Sequence, residues 1–379
     1  LVKKNYKSKR LSFTSNIAEA IKKSNVIFIC VGTPTKKNSN AADLSQIYNV
    51  AKEIRKNIKS FKIIINKSTV PVTTGDEVEK IISKKVNKKL FSVVSNPEFL
   101  REGEAIRDFI YPDRVVIGTS NKKTNKVLKS LYSPLISKGA KYINTSRRGA
   151  ELIKYASNAF LATKISFINE LANLCEKTDV NVEDVSIGMG LDKRIGGRFL
   201  RAGPAYGGSC FPKDTRAIVD TGSKFKIDLS IIKAVIKSNK DRSKLLLNRV
   251  SKILKNRIRN KKICFLGVTF KANTDDMRES SSIKMIPYLS NKGAKITYFD
   301  PTGYKKEFKN FKNVFNAKTV KEACKDSDLI IIHTEWNDFK SLNFDKLNKK
   351  KNFFIYDMRN ILQDEKIKKN TKKYFGIGK

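Results

Sequence analysis

One motif in the sequence combines a nucleophile, a cation and a carboxylate within five residues. Cys210 follows the glycine pair at 207–208, and Lys213 and Asp214 come three and four residues after it. Two adjacent glycines permit a tight turn and a close approach of a ligand to the backbone. A nearby ammonium favours the thiolate, the reactive form of cysteine, and Asp214 is placed to exchange a proton one helical turn away. The motif therefore predicts covalent chemistry. The alternative is a turn into a helix that buries Cys210 as a small apolar side chain.

The composition predicts a large globular protein with an excess of positive charge. The chain has 379 residues, a hydrophobic fraction of 40% and a formal net charge of +42. Its length allows two or three domains, and its hydrophobic fraction excludes a disordered class of protein. The lysines are spread along the whole chain, so we expect no nucleic-acid partner, although a basic nucleic-acid-binding protein stays the alternative function. The charge still predicts salt-dependent attraction of anionic ligands.

The cysteine and apolar patterns disfavour disulfides, metal sites and membrane spans. The five cysteines contain no C-x-x-C pair, and their number is odd, which argues against a disulfide framework and a structural zinc site. No apolar run is long enough to span a membrane, and no secretory signal is recognisable. We expect a cytoplasmic, reducing setting with no metal and no membrane partner. Since His333 is the only histidine, acid–base chemistry is expected to rest on Lys, Asp, Glu, Cys or water.

Three apolar runs near the start of the chain predict buried parallel strands, each followed by a polar loop. The runs are 26–31, 63–65 and 91–94, and helical patterns at 45–57 and 74–83 separate them. The loops that follow are 32–35, 68–71 and 96–102. The carboxyl ends of parallel strands meet at one edge of a sheet, and ligands bind there in such folds. We therefore expect these loops to form a ligand site.

The pattern then changes to a long helix and afterwards to a second group of strands. Apolar residues recur at three-to-four spacing from Gly149 to about Asp184, which predicts a helix of about 35 residues that carries a domain or subunit interface. Strand patterns return at 262–267, 294–301, 328–334 and 353–357. The predicted class is α/β, with two Rossmann-like doubly wound lobes joined by a long central helix and a helical middle domain. The predicted domains are 1–146, 147–250 and 251–379.

A series of motifs resembles the UDP-glucose/GDP-mannose dehydrogenase family over essentially the whole chain. The motifs lie at 28–35, 67–71, 96–103, 111–114, 151–160, 206–214 and 270–280. Each is weak alone, and their shared order and spacing carry the resemblance. It implies an NAD-binding first domain, a dimerising middle domain with the catalytic cysteine, and a last domain that binds a UDP-sugar. It also implies two successive NAD-dependent oxidations of a primary alcohol, through the aldehyde, to a carboxylate.

The resemblance implies a nucleophile and an oxyanion site. Cys210 matches the cysteine that forms a thiohemiacetal with the aldehyde and then a thioester that water hydrolyses. Lys154 and Asn158, four residues apart on the predicted helix, match the lysine and asparagine that hold the oxyanion. Without the resemblance, these two side chains would be interpreted as a solvated helix face.

The remaining catalytic matches concern water. Asp214 matches an aspartate oriented towards the water and the cysteine, and Thr69 matches a threonine that helps to position that water. Glu98 matches the glutamate proposed as the base for thioester hydrolysis. Alternatively, Glu98 is a carboxylate at the start of a helix, where its charge interacts favourably with the helix dipole. The two interpretations of Glu98 can hold together.

The resemblance also implies two sets of binding residues and a subunit partner. NAD would be held by Gly32, Thr33, Pro34, Thr69, Glu102, Cys210 and Arg278. UDP-glucose would be held by Phe99, Leu100, Arg101, Glu102, Lys154, Asn158, Arg194, Phe199, Tyr206, Gly207, Lys271 and Arg359. Arg194 matches an arginine that reaches the neighbouring subunit's site, so a homodimer or higher homo-oligomer with a shared active site is expected on the long helix. Another sugar nucleotide, a UDP-N-acetylhexosamine or GDP-mannose, is the alternative substrate.

One family feature is not found in the sequence. No G-x-G-x-x-G turn follows a strand near the start of the first lobe, and the family's acidic ribose-binding residue is not found either. We therefore expect this chain to be the later part of a longer enzyme and to bind NAD poorly by itself. An inactive fragment is the remaining alternative.

Overall fold

A computed structural model describes residues 1–37, 39–362 and 373–379 of the chain. The described residues divide into two compact units. The first unit is Leu1–Ser157 with Ser223–Phe225, and the second is Asn158–Gly222 with Lys226–Lys379. The division of the chain into three domains at 146 and 250 stays a prediction.

The first unit contains a five-stranded sheet whose strands are neighbours in sequence order. The strands are β1 (Val26–Ile29), β2 (Lys62–Asn66), β3 (Phe91–Ser95), β4 (Arg114–Gly118) and β5 (Lys141–Thr145). β1, β2 and β3 are parallel, β4 pairs antiparallel with β3, and β5 is parallel to β4. The apolar runs that predict the first three strands coincide with β1 to β3, because unbroken apolar runs suit strands covered on both faces.

Helices precede, connect and follow the strands of this sheet. They are α1 (Val2–Lys7), α2 (Ile17–Lys23), α3 (Ser45–Asn57), α4 (Thr74–Ser83), α5 (Ala105–Ile110), α6 (Lys122–Leu131) and α7 (Ser133–Ile136), and a 3₁₀ turn at Lys88–Leu90 precedes β3. Ile47 of α3 and Val78 of α4 pack in one core with Ile64 of β2. Leu128 of α6 belongs to a second core with Ile65. Because Ile64 and Ile65 point to opposite faces, each face of the sheet has its own core.

The middle of the chain is helical. Its helices are α8 (Arg147–Thr178), α9 (Val182–Leu191), α10 (Phe211–Lys224) and α11 (Ser230–Ile253). The predicted helix from 149 to about 184 is therefore two helices. Asp179 breaks it with a left-handed φ of 54°, and the Asn181 side chain accepts from the Glu183 N–H to begin α9. No helix among the described residues has the length and apolar character needed to cross a lipid bilayer.

The second unit contains a parallel sheet of six strands. The strands are β6 (Lys262–Leu266), β7 (Lys295–Phe299), β8 (Val314–Asn316), β9 (Leu329–Ile332), β10 (Phe354–Asp357) and β11 (Tyr374–Gly376), in the order β11-β10-β9-β6-β7-β8. The accompanying helices are α12 (Ser282–Asn291), α13 (Val320–Cys324) and α14 (Phe344–Leu347), with 3₁₀ turns at Lys306–Phe308 and Asn337–Phe339. The strand order reverses between β6 and β9, where doubly wound sheets bind ligands. The predicted α/β class, with two Rossmann-like lobes and a helical middle, is confirmed.

Candidate active site

Three predicted loops lie at one edge of the first sheet. Residues 32–35, 68–71 and 96–102 follow β1, β2 and β3, whose carboxyl ends are neighbours. The buried Thr33 hydroxyl donates to the Thr69 carbonyl oxygen at 2.9 Å. The Ser68 hydroxyl donates to the Val31 carbonyl oxygen at 2.7 Å. These two bonds fix the first loop against the second.

Gly32 leaves open space at this edge. The nearest atom to a Cβ placed on Gly32 would be Gln46 Oε1, at an ordinary contact distance of 3.9 Å. The packing around Gly32 therefore does not itself require glycine. Space of this kind at the carboxyl ends of parallel strands fits a dinucleotide. Pro34 is exposed beside it, and Glu102 is half-buried in the third loop.

Lys154 of α8 meets the third loop of the first unit. Its Nζ lies 3.4 Å from Glu98 Oε1 and 5.1 Å from the centre of the Phe99 ring. The other Glu98 oxygen accepts from the Leu100 N–H at 2.5 Å, and the Arg114 guanidinium lies 4.1 Å from the same ring. Lys154 is buried, so little water competes with an anion for its ammonium. The arrangement can stabilise negative charge that develops on a substrate oxygen.

A second lysine lies at the same edge and was missed by reasoning from the sequence. Lys67 Nζ donates to Asn96 Oδ1 at 3.3 Å, and this oxygen also accepts from the Tyr132 hydroxyl at 2.5 Å. Burial lowers the pKa of Lys67 to about 8, and the neighbouring carboxylate of Glu98 acts in the opposite direction. Lys67 opens the motif at 67–71, but nothing in that motif indicates that its ammonium is removed from water.

In the second unit, Cys210 comes immediately before α10. Its carbonyl oxygen accepts from the Asp214 N–H at 2.8 Å, so Cys210 lies at the N-terminal end of α10, which is the positive end of the helix dipole. Cys210 is exposed, and its Sγ is 3.5 Å from Ser209 Oγ. The alternative of a buried apolar cysteine is therefore wrong.

The two glycines before Cys210 are explained by packing within the second unit. Gly208 has a φ of 76°, and its N–H donates to the Arg278 carbonyl oxygen at 2.8 Å. A Cβ on Gly208 would lie 2.7 Å from the Phe270 ring, and one on Gly207 would lie 2.7 Å from the Glu279 carbonyl oxygen. Both positions need glycine whether or not a ligand binds.

Two of the predicted catalytic residues, Asp214 and Asn158, are hydrogen-bonded to each other. The Asp214 side chain is buried. One oxygen accepts from Asn158 Nδ2 at 2.6 Å, and the other accepts from Lys213 Nζ at 2.6 Å. The carboxylate thus orients an amide and neutralises an ammonium, one turn of helix beyond Cys210.

Three of the four arginines predicted to bind ligands pair with carboxylates within seven residues of them in the chain. The pairs are Arg101 with Glu104 and Asp108, Arg194 with Asp192, and Arg278 with Asp276. The Arg194 side chain is 89% exposed. An anionic ligand must therefore share or displace a carboxylate to contact these guanidinium groups.

Two predicted substrate residues lie near the strand reversal of the second sheet. Arg359 donates to the Phe270 carbonyl oxygen at 2.7 Å and to the His333 carbonyl oxygen at 3.0 Å, and it lies 2.9 Å from a Glu335 oxygen. Lys271 Nζ lies 5.5 Å from the centre of the Phe270 ring. Arg359 and Lys271 thus share Phe270 as a neighbour.

The predicted residues Phe199 and Tyr206 make edge contacts with one ring at the start of α10. Their ring centres lie 6.0 Å and 6.2 Å from that of Phe211. Phe199 has a left-handed φ of 67°. Backbone groups of Tyr206 bond the Asn239 amide in both directions, at 2.9 Å and 3.0 Å. These contacts fix the segment that leads to Cys210.

The single histidine is structural. His333 Nε2 lies 2.8 Å from Ser281 Oγ, and its Nδ1 lies 3.1 Å from Thr334 Oγ1. Burial lowers the pKa of His333 to about 3, so the ring is neutral near pH 7. Among residues 1–37, 39–362 and 373–379, no group of three or more His, Cys, Asp or Glu side chains is placed to hold a metal ion.

Comparisons with known proteins match the chain throughout its length. Three domains of the UDP-glucose/GDP-mannose dehydrogenase family match this chain. The family's NAD binding domain matches residues 1–136, its central domain matches 148–241, and its UDP binding domain matches 264–364. A UDP-glucose 6-dehydrogenase of Rhizobium meliloti is 45% identical, over 100% of this chain and 87% of that protein. One of Rickettsia felis is 45% identical, over 100% and 84%. The structure of a UDP-glucose dehydrogenase from Pyrobaculum islandicum matches with a TM-score of 0.89 and 33% identity, over 99% of this chain and 85% of that one.

Proposed function

Because the chain belongs to the UDP-glucose/GDP-mannose dehydrogenase family and carries its NAD-binding domain, we propose that it oxidises UDP-glucose to UDP-glucuronate in two successive steps. The choice of UDP-glucose is supported by relatives of that activity at 45% identity over the whole chain. The exposed Cys210 at the start of α10 carries the proposal of a double oxidation. A single alcohol oxidation needs no such nucleophile, whereas acid formation from an aldehyde uses one.

Cys210 makes the second oxidation accessible. An aldehyde gives up a second hydride poorly, but attack by the Cys210 sulfur turns it into a thiohemiacetal, which gives it up readily. The product of that oxidation is a thioester on Sγ. Water hydrolyses the thioester, releases the carboxylate and regenerates Cys210. The positive end of α10 favours the attacking thiolate.

The remaining catalytic residues stabilise oxyanions and deliver water. Lys154 and Asn158 hold the oxyanion of the tetrahedral intermediates, and Asp214 orients Asn158 through the 2.6 Å bond between them. Glu98, 3.4 Å from Lys154, serves as base for thioester hydrolysis. Thr69 positions the water. The family resemblance supports each role, and the contacts of Lys154 with Glu98 and of Asn158 with Asp214 support those of the oxyanion site.

Bound NAD supplies the hydride acceptor for both oxidations. We assign its binding to Gly32, Thr33, Pro34, Thr69, Glu102, Cys210 and Arg278. The space at Gly32 and the bond between Thr33 and Thr69 support the first part of this set. The bond between Thr33 and Thr69 holds the first two loops together, and Gly32 leaves room for a ligand to lie close to the backbone.

Substrate binding is assigned to a second set of residues. They are Phe99, Leu100, Arg101, Glu102, Lys154, Asn158, Arg194, Phe199, Tyr206, Gly207, Lys271 and Arg359. The arginine and lysine side chains in this set suit the diphosphate group of a UDP-sugar. The exposed Arg194 suits a role in the site of a neighbouring subunit.

A homodimer on the long helix is part of the proposal. Phe160, Phe167 and Leu174 of α8 are 65%, 46% and 57% exposed. Their seven-residue spacing places them on one helix face. A second copy of the chain presents the same face, so two copies can bury these side chains against each other.

The test is the stoichiometry of the reaction of the full-length gene product. With excess NAD and limiting UDP-glucose, we expect two NADH per sugar and an acid product. One NADH per sugar would contradict the double oxidation. No NADH with UDP-glucose, but turnover of a UDP-N-acetylhexosamine or GDP-mannose, would contradict the assigned substrate.

A further inference from the structure

A buried carboxylate of the first unit lies outside the roles proposed above. Glu151 is on α8, three residues before Lys154, and is 2% exposed. Its Oε1 accepts from the Gly75 N–H and from the Ser95 hydroxyl, both at 2.8 Å. Its Oε2 accepts from the Thr73 N–H at 2.9 Å. One side chain therefore joins α8 to the start of α4 and to the end of β3.

The elements that Glu151 joins carry two loops of the proposed reaction. Thr69 lies four residues before Thr73, and Glu98 lies three residues after Ser95. Thr73 has a φ of 83°, which is unfavourable for a β-branched residue. Because Glu151 accepts from the Thr73 N–H, it helps to hold this strained turn in place.

We infer that Glu151 is a positioning residue: through Thr73, Gly75 and Ser95 it fixes the loops that carry Thr69 and Glu98 relative to Lys154. The inference rests on the proposed function. All three partners of Glu151 donate, so both carboxylate oxygens are needed as acceptors. A glutamine would place its NH₂ group against at least one donor and leave that donor unpaired in a buried place.

Ionisation changes what Glu151 can accept. The charged and titratable groups around it and its partners are Asp76, Glu77 and Glu79 of α4, Arg147 of α8 and Tyr48 of α3. Burial raises the pKa of Glu151 to about 7, and its three hydrogen bonds act in the opposite direction. The ionised form accepts from all three donors, whereas a proton on one oxygen removes part of that capacity.

Positioning and stability therefore respond to pH in opposite directions. The pKa of Glu151 in the folded protein lies above its ordinary value of 4.5. Its contribution to stability is thus fully present below about pH 4.5 and is lost as the pH rises through about 7. Loop positioning needs the ionised form, so kcat should rise over the same interval. A carboxylate that served stability alone would not produce this opposition.

The test compares Glu151→Gln with Glu79→Gln in the full-length enzyme. Glu79 is a carboxylate of α4 that pairs with Arg147 of α8 at 2.5 Å, so it controls for the loss of a negative charge between the same two helices. Glu151→Gln should lower kcat by about 10- to 100-fold, the scale of a small misplacement of catalytic groups. It should leave the KM for UDP-glucose within about threefold and remove the ionisation near pH 7 from the kcat profile. The Glu79→Gln enzyme should keep the kcat and the profile of the wild type.

Amide hydrogen exchange over residues 67–75 provides a readout that needs no turnover. Exchange should be faster in Glu151→Gln and unchanged in Glu79→Gln. A folded Glu151→Gln enzyme with wild-type kcat, pH profile and exchange would overturn the inference. If Glu151→Gln does not fold, Ser95→Ala replaces it as the test, because it removes one of the three donors to Glu151. Ser95→Ala should lower kcat less than tenfold and speed amide exchange over residues 67–75. Wild-type kcat together with wild-type exchange in Ser95→Ala would then overturn the inference. If the wild type oxidises no sugar nucleotide, the proposed function fails, while the exchange result still shows whether Glu151 holds the loops.

Discussion

Glu151 of the first unit and Asp214 of the second unit are both buried carboxylates, but their hydrogen-bond partners differ. Glu151 of the first unit accepts from two backbone N–H groups and one hydroxyl. Asp214 of the second unit accepts from an amide and an ammonium side chain. A carboxylate bonded to backbone fixes the path of the chain, whereas one bonded to side chains fixes functional groups. The comparison indicates that Glu151 positions whole loops, whereas Asp214 orients individual side chains one helical turn from the cysteine.

The largest effect is expected at the cysteine loop of the second unit. Cys210→Ser removes the sulfur on which the thiohemiacetal forms, and a serine hydroxyl in its place is a much weaker nucleophile than a thiolate. Formation of UDP-glucuronate should fall by about 10³-fold or more, while the affinity for UDP-glucose should change little. Quenched-flow product analysis and equilibrium binding measure the two quantities. Acid formation at the wild-type rate would remove the covalent route.

A smaller effect is expected when the side chains around Asp214 lose their acceptor. Asp214→Asn leaves Lys213 without its carboxylate and turns an NH₂ group towards a former donor. We expect kcat to fall by about 10- to 100-fold, the scale of a disturbed oxyanion donor. Exchange of residues 67–75 should stay as in the wild type, unlike in Glu151→Gln. Faster exchange there in Asp214→Asn would break the distinction between the two carboxylates.

Most of the fold could be predicted from the sequence because buried parallel strands have a strong pattern. The unbroken apolar run of β2, the largely apolar segment of β3 and the helical periodicity of α3 coincide with the observed elements. The break at Asp179 could not be predicted, since apolar spacing continues across it from α8 into α9. A single left-handed residue interrupts a helix without changing its hydrophobic period.

Site residues could be predicted where reactive side chains occur in recognisable motifs. Residues whose roles depend on tertiary contacts could not be predicted in this way. The exposure of Cys210 and the bond between Asn158 and Asp214 agree with the predicted cluster, whose catalytic roles stay predictions. Glu151 lies inside a motif, but its sequence context resembles that of any helical glutamate. Its role depends on donors at Thr73 and Ser95, far from it in the chain, and no local pattern indicates such contacts.

The smallest expected effect is a difference in stability between two glycine-to-alanine variants. The two positions are Gly208, in the cysteine loop, and Gly75, beside Glu151. Gly208 has a φ of 76°, and a Cβ there would lie 2.7 Å from the Phe270 ring, so Gly208→Ala adds backbone strain and displaces a packed ring. We expect a loss of about 2 kcal/mol in the free energy of unfolding. Gly75 has helical backbone within α4, and a Cβ there would lie 2.9 Å from Glu151 Oε1. The same Cβ would lie 3.0 Å from Ser95 Oγ. Because the ends of side chains must move and not a packed ring, Gly75→Ala should lose about 1 kcal/mol.

Urea unfolding of the two variants, followed by circular dichroism, measures this difference. Gly75→Ala should in addition speed amide exchange over residues 67–75, because the displaced carboxylate no longer reaches both backbone donors. Gly208→Ala should leave that exchange unchanged. A larger stability loss at Gly75 than at Gly208 would show that Glu151 cannot move aside. In that case the carboxylate of Glu151 would be harder to displace than the ring of Phe270.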